Sequence, residues 1–251
     1  MEPVFRCLEI AARALVKATG TDLVYTGLEH IPTAGGAVVA INHTGYVDFL
    51  PAALALHRRG RRMRFMIKAE MQQVRVVDFL IRHTGTIPVD RRAGAQAYAV
   101  AVERLRGGEM VGVYPEATIS RSFELKEFKS GAARMALEAQ VPIIPLVVWG
   151  AQRIWTKDHP RRLGRHKIPI RVAVGAPLPP VGDVDAGAID ALLGALRERM
   201  TALLDDAQRD YPRPADAFWV PRRIGGGAPT PAQAKVLDEA ELSRRARRPR
   251  R

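Results

Sequence analysis

The chain has 251 residues, 47% hydrophobic and 26% charged, ordinary proportions for one globular domain with a substantial core. Its single cysteine, Cys7, excludes an internal disulfide framework and a cysteine-rich metal site, and agrees with a reducing, cytoplasmic compartment. The formal charge of +13, with 32 Arg among the 39 basic residues, favours phosphate-rich partners, either nucleic acid or an anionic membrane surface.

The first 19 residues have the spacing of an amphipathic helix. Val4, Leu8, Ala11, Leu15 and Ala18 form one stripe, while Glu2, Arg6, Glu9, Arg13 and Lys17 form the other. Two readings stay open: a helix packed on its own domain, with Glu2/Arg6 and Glu9/Arg13 as i,i+4 pairs, or an interfacial helix with its apolar side in lipid. The charges that interrupt this stretch make it a poor secretory signal. No window reaches the roughly 18 uninterrupted apolar residues of a membrane-spanning helix.

From residue 22 to about 175, short apolar runs alternate with helical patterns. Leu23–Thr26, Ala37–Ile41, Arg64–Ile67, Thr86–Val89, Met110–Tyr114, Ile143–Val148 and Ile170–Val174 are predicted strands. Phe49–Leu56, Met71–Arg82, Gln96–Leu105 and Ala132–Gln140 are predicted helices. The alternation predicts an α/β fold with a mixed, largely parallel central sheet flanked by helices. The strands show little period-two alternation, as expected when both faces are covered. A longer helix, about Ala186–Gln208, is expected to pack on the core. Beyond Pro212 the chain is rich in Pro and Gly, includes Gly225-Gly226-Gly227, and ends in an Arg-rich run. Residues 212–251 hold ten Lys/Arg against four acids and are expected to be a largely disordered basic tail. The expected organisation is therefore an N-terminal helix (1–20), one domain (21–211) and this tail (212–251).

The first chemical constellation is Asn42-His43-Thr44-Gly45-Tyr46-Val47-Asp48. A buried strand delivers His43 to the loop at its C-terminal end, where α/β sheets place reactive groups. Histidine accepts a proton near neutrality, and a carboxylate five residues further on can turn back to orient the ring. Asp48 is also placed to N-cap the helix that begins at Phe49, with Pro51 tolerated in its first turn. On its own, His-x4-Asp is a short and unspecific motif.

Three further blocks follow in order: Gly85-Thr86-Ile87-Pro88-Val89-Asp90-Arg91; Tyr114-Pro115-Glu116-Ala117-Thr118-Ile119-Ser120 with Phe128-Lys129-Ser130-Gly131; and Val141-Pro142-Ile143-Ile144-Pro145. Together with the first they resemble the four blocks of the glycerolipid acyltransferase family, which includes 1-acylglycerol-3-phosphate acyltransferase, over residues 22–175. The resemblance implies O-acyl transfer from acyl-CoA or acyl-carrier protein to the free hydroxyl of a lysophospholipid, giving phosphatidic acid, with no metal and no resident cofactor. It implies His43 as general base, Asp48 as its partner, Arg91 as a phosphate ligand, and Glu116 with the loop after it, near Lys129, as the rest of the acceptor pocket. Guanidinium and ammonium groups suit phosphate oxygens.

The chain departs from the family pattern at three positions. Gly45 stands where Ser is usual, Ala117 where Gly follows the Glu, and Ile119 where the block carries Arg. The last bears on the acceptor, and Arg121 is the candidate to take over phosphate binding. No Ser or Cys nucleophile signature adjoins His43, and Cys7 lies far from every block, so direct transfer is expected, with backbone N–H groups at the oxyanion. Phe49, Leu50, Leu54, Met71, Val74, Phe79 and Leu80 line an acyl channel or belong to the core. Acylation of glycerol 3-phosphate or another lysolipid is the alternative acceptor reading. A basic nucleic-acid-binding protein is the alternative class, disfavoured because the Arg cluster lacks interleaved aromatics. The N-terminal helix and the basic tail are expected to hold the protein on the cytoplasmic face of the cell membrane as a peripheral or monotopic enzyme.

Overall fold

A computed structural model describes residues 3–90 and 94–246. Seven strands form one sheet: β1 (Asp22–Thr26), β2 (Ala37–Ile41), β3 (Met63–Lys68), β4 (Ile87–Val89), β5 (Met110–Val113), β6 (Ile143–Trp149) and β7 (Pro169–Val174). The spatial order is β1-β7-β6-β2-β5-β3-β4. Every neighbouring pair is parallel except β6 with β7. The expected mixed, largely parallel α/β sheet is what the chain forms.

The helices are α1 (Pro3–Thr19), α2 (Phe49–His57), α3 (Arg75–Thr84), α4 (Gly94–Arg106), α5 (Gly131–Ala139), α6 (Ala186–Arg209) and α7 (Pro231–Ala246). The sheet is covered on both sides, and successive residues of one strand serve opposite cores. In β2, Val38 and Ala40 pack with residues of α4, α5 and α6, while Ala37, Val39 and Ile41 pack with those of α2. This double burial explains the unbroken apolar run, since a strand wet on one face would alternate. Truncating a fully buried residue such as Ile41 or Leu196 to Ala should cost about 2–5 kcal/mol.

Three expectations are corrected. The predicted helix 71–82 is two elements: a tight turn over Ala69–Gln73, then α3, separated by Val74 in extended conformation. On α1 the inward face is not the apolar stripe. Val4 and Leu8 are half-buried while Ala11, Leu15 and Ala18 face outward, because Glu9 is drawn in to pair with His57 at 3.3 Å and Arg62 at 3.1 Å and not with Arg13. Glu2 lies outside the described residues.

The third correction concerns residues 212–246, which are folded. Trp219, Val220 and Ala228 are buried, and Trp219 joins Trp149 and Tyr211 in an aromatic cluster. The glycine run is a tight crossing and not a flexible spacer. A Cβ on Gly226 would lie 1.9 Å from the Val220 carbonyl oxygen, and one on Gly227 2.3 Å from that of Asp216. Gly226 and Gly227 N–H groups donate to the carbonyls of Pro221 and Ala217, so side chains here would prise apart bonded backbone. The Arg-rich end, 247–251, lies outside the described residues.

Candidate active site

Three adjacent parallel strands, β6-β2-β5, end on the same edge of the sheet. Their registers pair Ile41 with Leu146 and Ala40 with Val113, so the loops after all three meet. In chain order, the first loop, after β2, carries His43, the second, after β5, carries Tyr114 and Glu116, and the third, after β6, is residues 150–157. Asn42 anchors the junction: its amide donates to the Val148 carbonyl at 3.0 Å and accepts from the Val148 N–H at 2.7 Å, extending the β2–β6 ladder by one side chain.

Asp48 turns back towards His43. Its Oδ2 lies 3.2 Å from His43 Nδ1 and accepts the backbone N–H groups of Thr44 at 2.8 Å and Gly45 at 2.7 Å. Asp48 makes no side-chain bond to the start of α2, so the N-cap expectation is corrected: its carboxylate is used upstream. A carboxylate only accepts, which puts the proton on Nδ1 and leaves Nε2 with a lone pair. The ring is 19% exposed and stacks on Tyr114 with centroids 4.0 Å apart. Burial, then the Asp48 charge, holds the Tyr114 hydroxyl well above its ordinary range.

Glu116 fastens the second loop to the first. Oε1 accepts the His43 N–H at 2.8 Å and Oε2 the Lys126 N–H at 3.0 Å. Burial pushes its carboxyl up to about 8, opposed by these two backbone bonds and reinforced by the Asp48 charge. The Ser120 N–H adds a bond to the His43 carbonyl at 2.8 Å. Ala117, at the position where the family carries Gly, has φ 58°, the left-handed conformation that explains why Gly is usual there. Ile119 is buried, 3% exposed, so the position the family gives to Arg is turned away from solvent here.

Gly45 is tied to the third loop. Tyr46 N–H donates to the Trp155 carbonyl, and Thr156 Oγ1 to that of Thr44. A Cβ on Gly45 would lie 2.9 Å from Trp155 O and 3.2 Å from Gln152 Cα. The missing Ser of the family pattern therefore has a packing cause.

The expected basic residues fare differently. Arg91 lies outside the described residues. Lys129 bonds through its backbone, to the Pro115 carbonyl, and its side chain is exposed. Arg121 is brought beside the turn, yet its guanidinium is engaged by Asp158, Asp238 and Glu241. Two cations absent from the sequence expectation join it. Lys126 Nζ bonds Thr118 Oγ1 at 2.8 Å and Asp238 Oδ2 at 2.5 Å, and Lys157 Nζ bonds Glu241 Oε2 at 3.0 Å. Of the proposed acyl-channel residues, Leu54 is core, whereas Phe49, Met71, Val74 and Phe79 are exposed.

A family model described as Acyltransferase matches residues 22–149. Among curated relatives, the 1-acyl-sn-glycerol-3-phosphate acyltransferase of Borreliella burgdorferi is 26% identical over 156 residues, 59% of this chain and 61% of that relative's length. The 1-acyl-sn-glycerol-3-phosphate acyltransferase alpha of Mus musculus is 27% identical over 213 residues, covering 82% of this chain and 71% of the relative. The fold matches the crystal structure of PlsC, the 1-acyl-sn-glycerophosphate acyltransferase of Thermotoga maritima, with a TM-score of 0.65 at 21% identity, covering 85% of this chain and 86% of that one.

Proposed function

The chain belongs to the acyltransferase family, and from that premise we propose that it transfers a fatty acyl group from acyl-CoA or acyl-carrier protein to the free hydroxyl of 1-acylglycerol 3-phosphate. The relatives' names support the acceptor. The observation that carries the chemistry is the His43–Asp48 pair, with Nδ1 bonded to a buried carboxylate and Nε2 unpartnered among the described residues.

In this reading His43 Nε2 removes the proton of the acceptor hydroxyl as its oxygen attacks the thioester carbonyl. The tetrahedral intermediate collapses by expelling the thiolate, which takes the proton back from the imidazolium. An ester and a free thiol result, and neither a covalent enzyme intermediate nor a resident cofactor is required. Asp48 holds the tautomer and stabilises the imidazolium, and the Tyr114 ring beneath it restricts ring motion. Glu116 is a positioning residue: it fixes the His43 backbone and the loop that carries Lys126.

The proposed acceptor and product are lipids of a membrane, and one surface suits them. Ile10, Leu15, Met71, Val74, Val76 and Phe79 are exposed on elements that pack together, α1 with α3 and the turn before α3. Among the described residues no helix is long and apolar enough to cross a membrane. We infer peripheral attachment to an anionic leaflet, on the cytoplasmic side, through this patch. Flotation with anionic liposomes checks it: Val76→Asp with Phe79→Asp should lose binding, and full binding would refute the assignment.

The reaction is tested by transfer from radiolabelled palmitoyl-CoA to 1-acylglycerol 3-phosphate in detergent micelles, beside His43→Ala. Phosphatidic acid from the native chain and none from the variant is the expected result. No product from folded native protein would overturn the substrate assignment, and product from His43→Ala would overturn the base.

A further inference from the structure

Helix α7 is bound in an unusual way. Over Pro231–Arg244 only Ala234 is buried, while Val236, Leu237 and Leu242 are exposed. Its firm attachments are two carboxylates. Asp238 contacts Arg121, Lys126 and Lys157, and Glu241 contacts Arg121 and Lys157. Two of the partners are well sheltered, the Arg121 side chain 5% exposed and that of Lys157 13%, while that of Lys126 is 30% exposed.

Each of these cations is one bond from the His43 turn. Arg121 follows Ser120, whose N–H holds the His43 carbonyl. Lys157 follows Thr156, whose hydroxyl holds the Thr44 carbonyl. Lys126 shares Glu116 with His43 through backbone N–H groups. The cluster is therefore built into the active-site loops and is not a patch that α7 happens to meet.

The charges are also matched. Three cations face Asp158, Asp238 and Glu241. Taking away the two on α7 leaves a sheltered excess of two positive charges, against roughly −1.5 to −2 on a phosphomonoester at neutral pH.

We propose that Arg121, Lys126 and Lys157 form the phosphate subsite for the acceptor, and that α7 is a displaceable plug whose Asp238 and Glu241 carboxylates occupy it. This rests on the reading that the acceptor carries a phosphate. The acceptor phosphate then competes with α7, and the helix leaves as substrate binds. Ion pairs suit this exchange: they are replaced one for one by phosphate contacts, whereas a helix held by an apolar face would have to expose that face on leaving. The role expected of Arg121 is retained in a new form, with a protein carboxylate in the phosphate's place until substrate arrives.

Hydrogen exchange of the native protein tests the displacement. Backbone amides of 231–246 should lose protection with saturating short-chain 1-acylglycerol 3-phosphate, and should keep it with the matching monoacylglycerol. Unchanged or increased protection with the phosphorylated acceptor would refute the plug. The second arm measures inorganic phosphate binding by calorimetry on Asp238→Asn/Glu241→Gln, whose amides preserve side-chain shape. Affinity should rise at least about tenfold over the native protein, the scale of one charge-assisted hydrogen bond. Equal affinity in a folded variant would refute the subsite. Neither arm depends on turnover. If the native protein makes no phosphatidic acid yet phosphate binds as expected, the acceptor assignment fails and the subsite stands.

Discussion

Asp48→Asn isolates the electrostatic part of the proposed mechanism. In the native site three donors converge on one oxygen, Oδ2, from His43 Nδ1, Thr44 N and Gly45 N, while Oδ1 is buried without a partner among the described residues. An asparagine must direct its oxygen at those donors, because its NH2 would oppose three N–H groups. The backbone bonds and the Nδ1–H tautomer therefore survive, and only the charge goes. At the 3.2 Å separation, with an effective dielectric of about 20, a carboxylate–imidazolium pair is worth about 5 kcal/mol. Allowing for delocalised charge on both groups, about 4 kcal/mol is a fair working figure, or roughly a 10³-fold fall in kcat. KM should change little, since in this mechanism the charge pair forms only as the proton is transferred. The assay is steady-state acyl transfer with thermal unfolding run beside it. A folded variant that loses less than about tenfold in kcat would refute the assignment of Asp48 as the imidazolium's counter-charge. Asp48→Ala orphans two buried N–H groups as well, at about 1–3 kcal/mol each, so it should lose more stability than Asn, whose NH2 alone is left unpaired in the place of Oδ1.

Four further outcomes are expected. Ala117→Gly should keep activity and gain about 1 kcal/mol in urea unfolding, because Ala at φ 58° bears a left-handed penalty that Gly escapes; a clear loss of stability would contradict it. Gly45→Ser, although it restores the family residue, should cost about 1–3 kcal/mol and lower kcat, since its Cβ meets Trp155 O at 2.9 Å; a stable, active variant would show that the 150–156 loop yields freely. Glu116 has its proton affinity raised from 4.5 to about 8, so the folded chain keeps a proton that the unfolded chain has released between those values. The stability this group confers is therefore full below pH 4.5 and lost as pH rises through 8, by on the order of 4 kcal/mol. Glu116→Gln should remove that part of the slope in pH-dependent unfolding; an unchanged slope would contradict it. Arg121→Gln should raise KM for 1-acylglycerol 3-phosphate several-fold and spare that for monoacylglycerol, and equal effects on both would argue for a purely structural role.

The central strands were legible because β2, β5 and β6 are fully buried runs, and such runs need no partner to be recognised. β2 reads Ala-Val-Val-Ala-Ile, and all five residues are buried. The break inside 71–82 was not legible, because the apolar spacing continues through Val74 while its backbone is extended. On α1 the apolar stripe predicts the inward face only if no charge has a partner below it. Glu9 has two, His57 and Arg62, from positions about fifty residues away. The C-terminal segment misled through composition: Gly226 and Gly227 are small because backbone passes close by, which looks in sequence the same as flexibility. A usable signal for α7 was present. Thr230 and Gln233 form a reciprocal capping box, with Pro231 at the first helical position.

The site divides along the same line. His43, Asp48 and Glu116 sit in short blocks where the strand–loop geometry sets their roles, and a motif records that geometry. Lys126 and Lys157 belong to no such block. They matter through partners on α7 that are 112 and 84 residues away, and long-range ionic contacts leave no periodicity or spacing behind. Two of the three departures from the family pattern fall at tight or buried positions. Gly45 makes room for the Trp155 carbonyl, and Ile119 is buried. With position 119 turned inward, phosphate recognition has to come from cations that reach the turn by other routes. The three that do so, Arg121, Lys126 and Lys157, are the three that α7 neutralises.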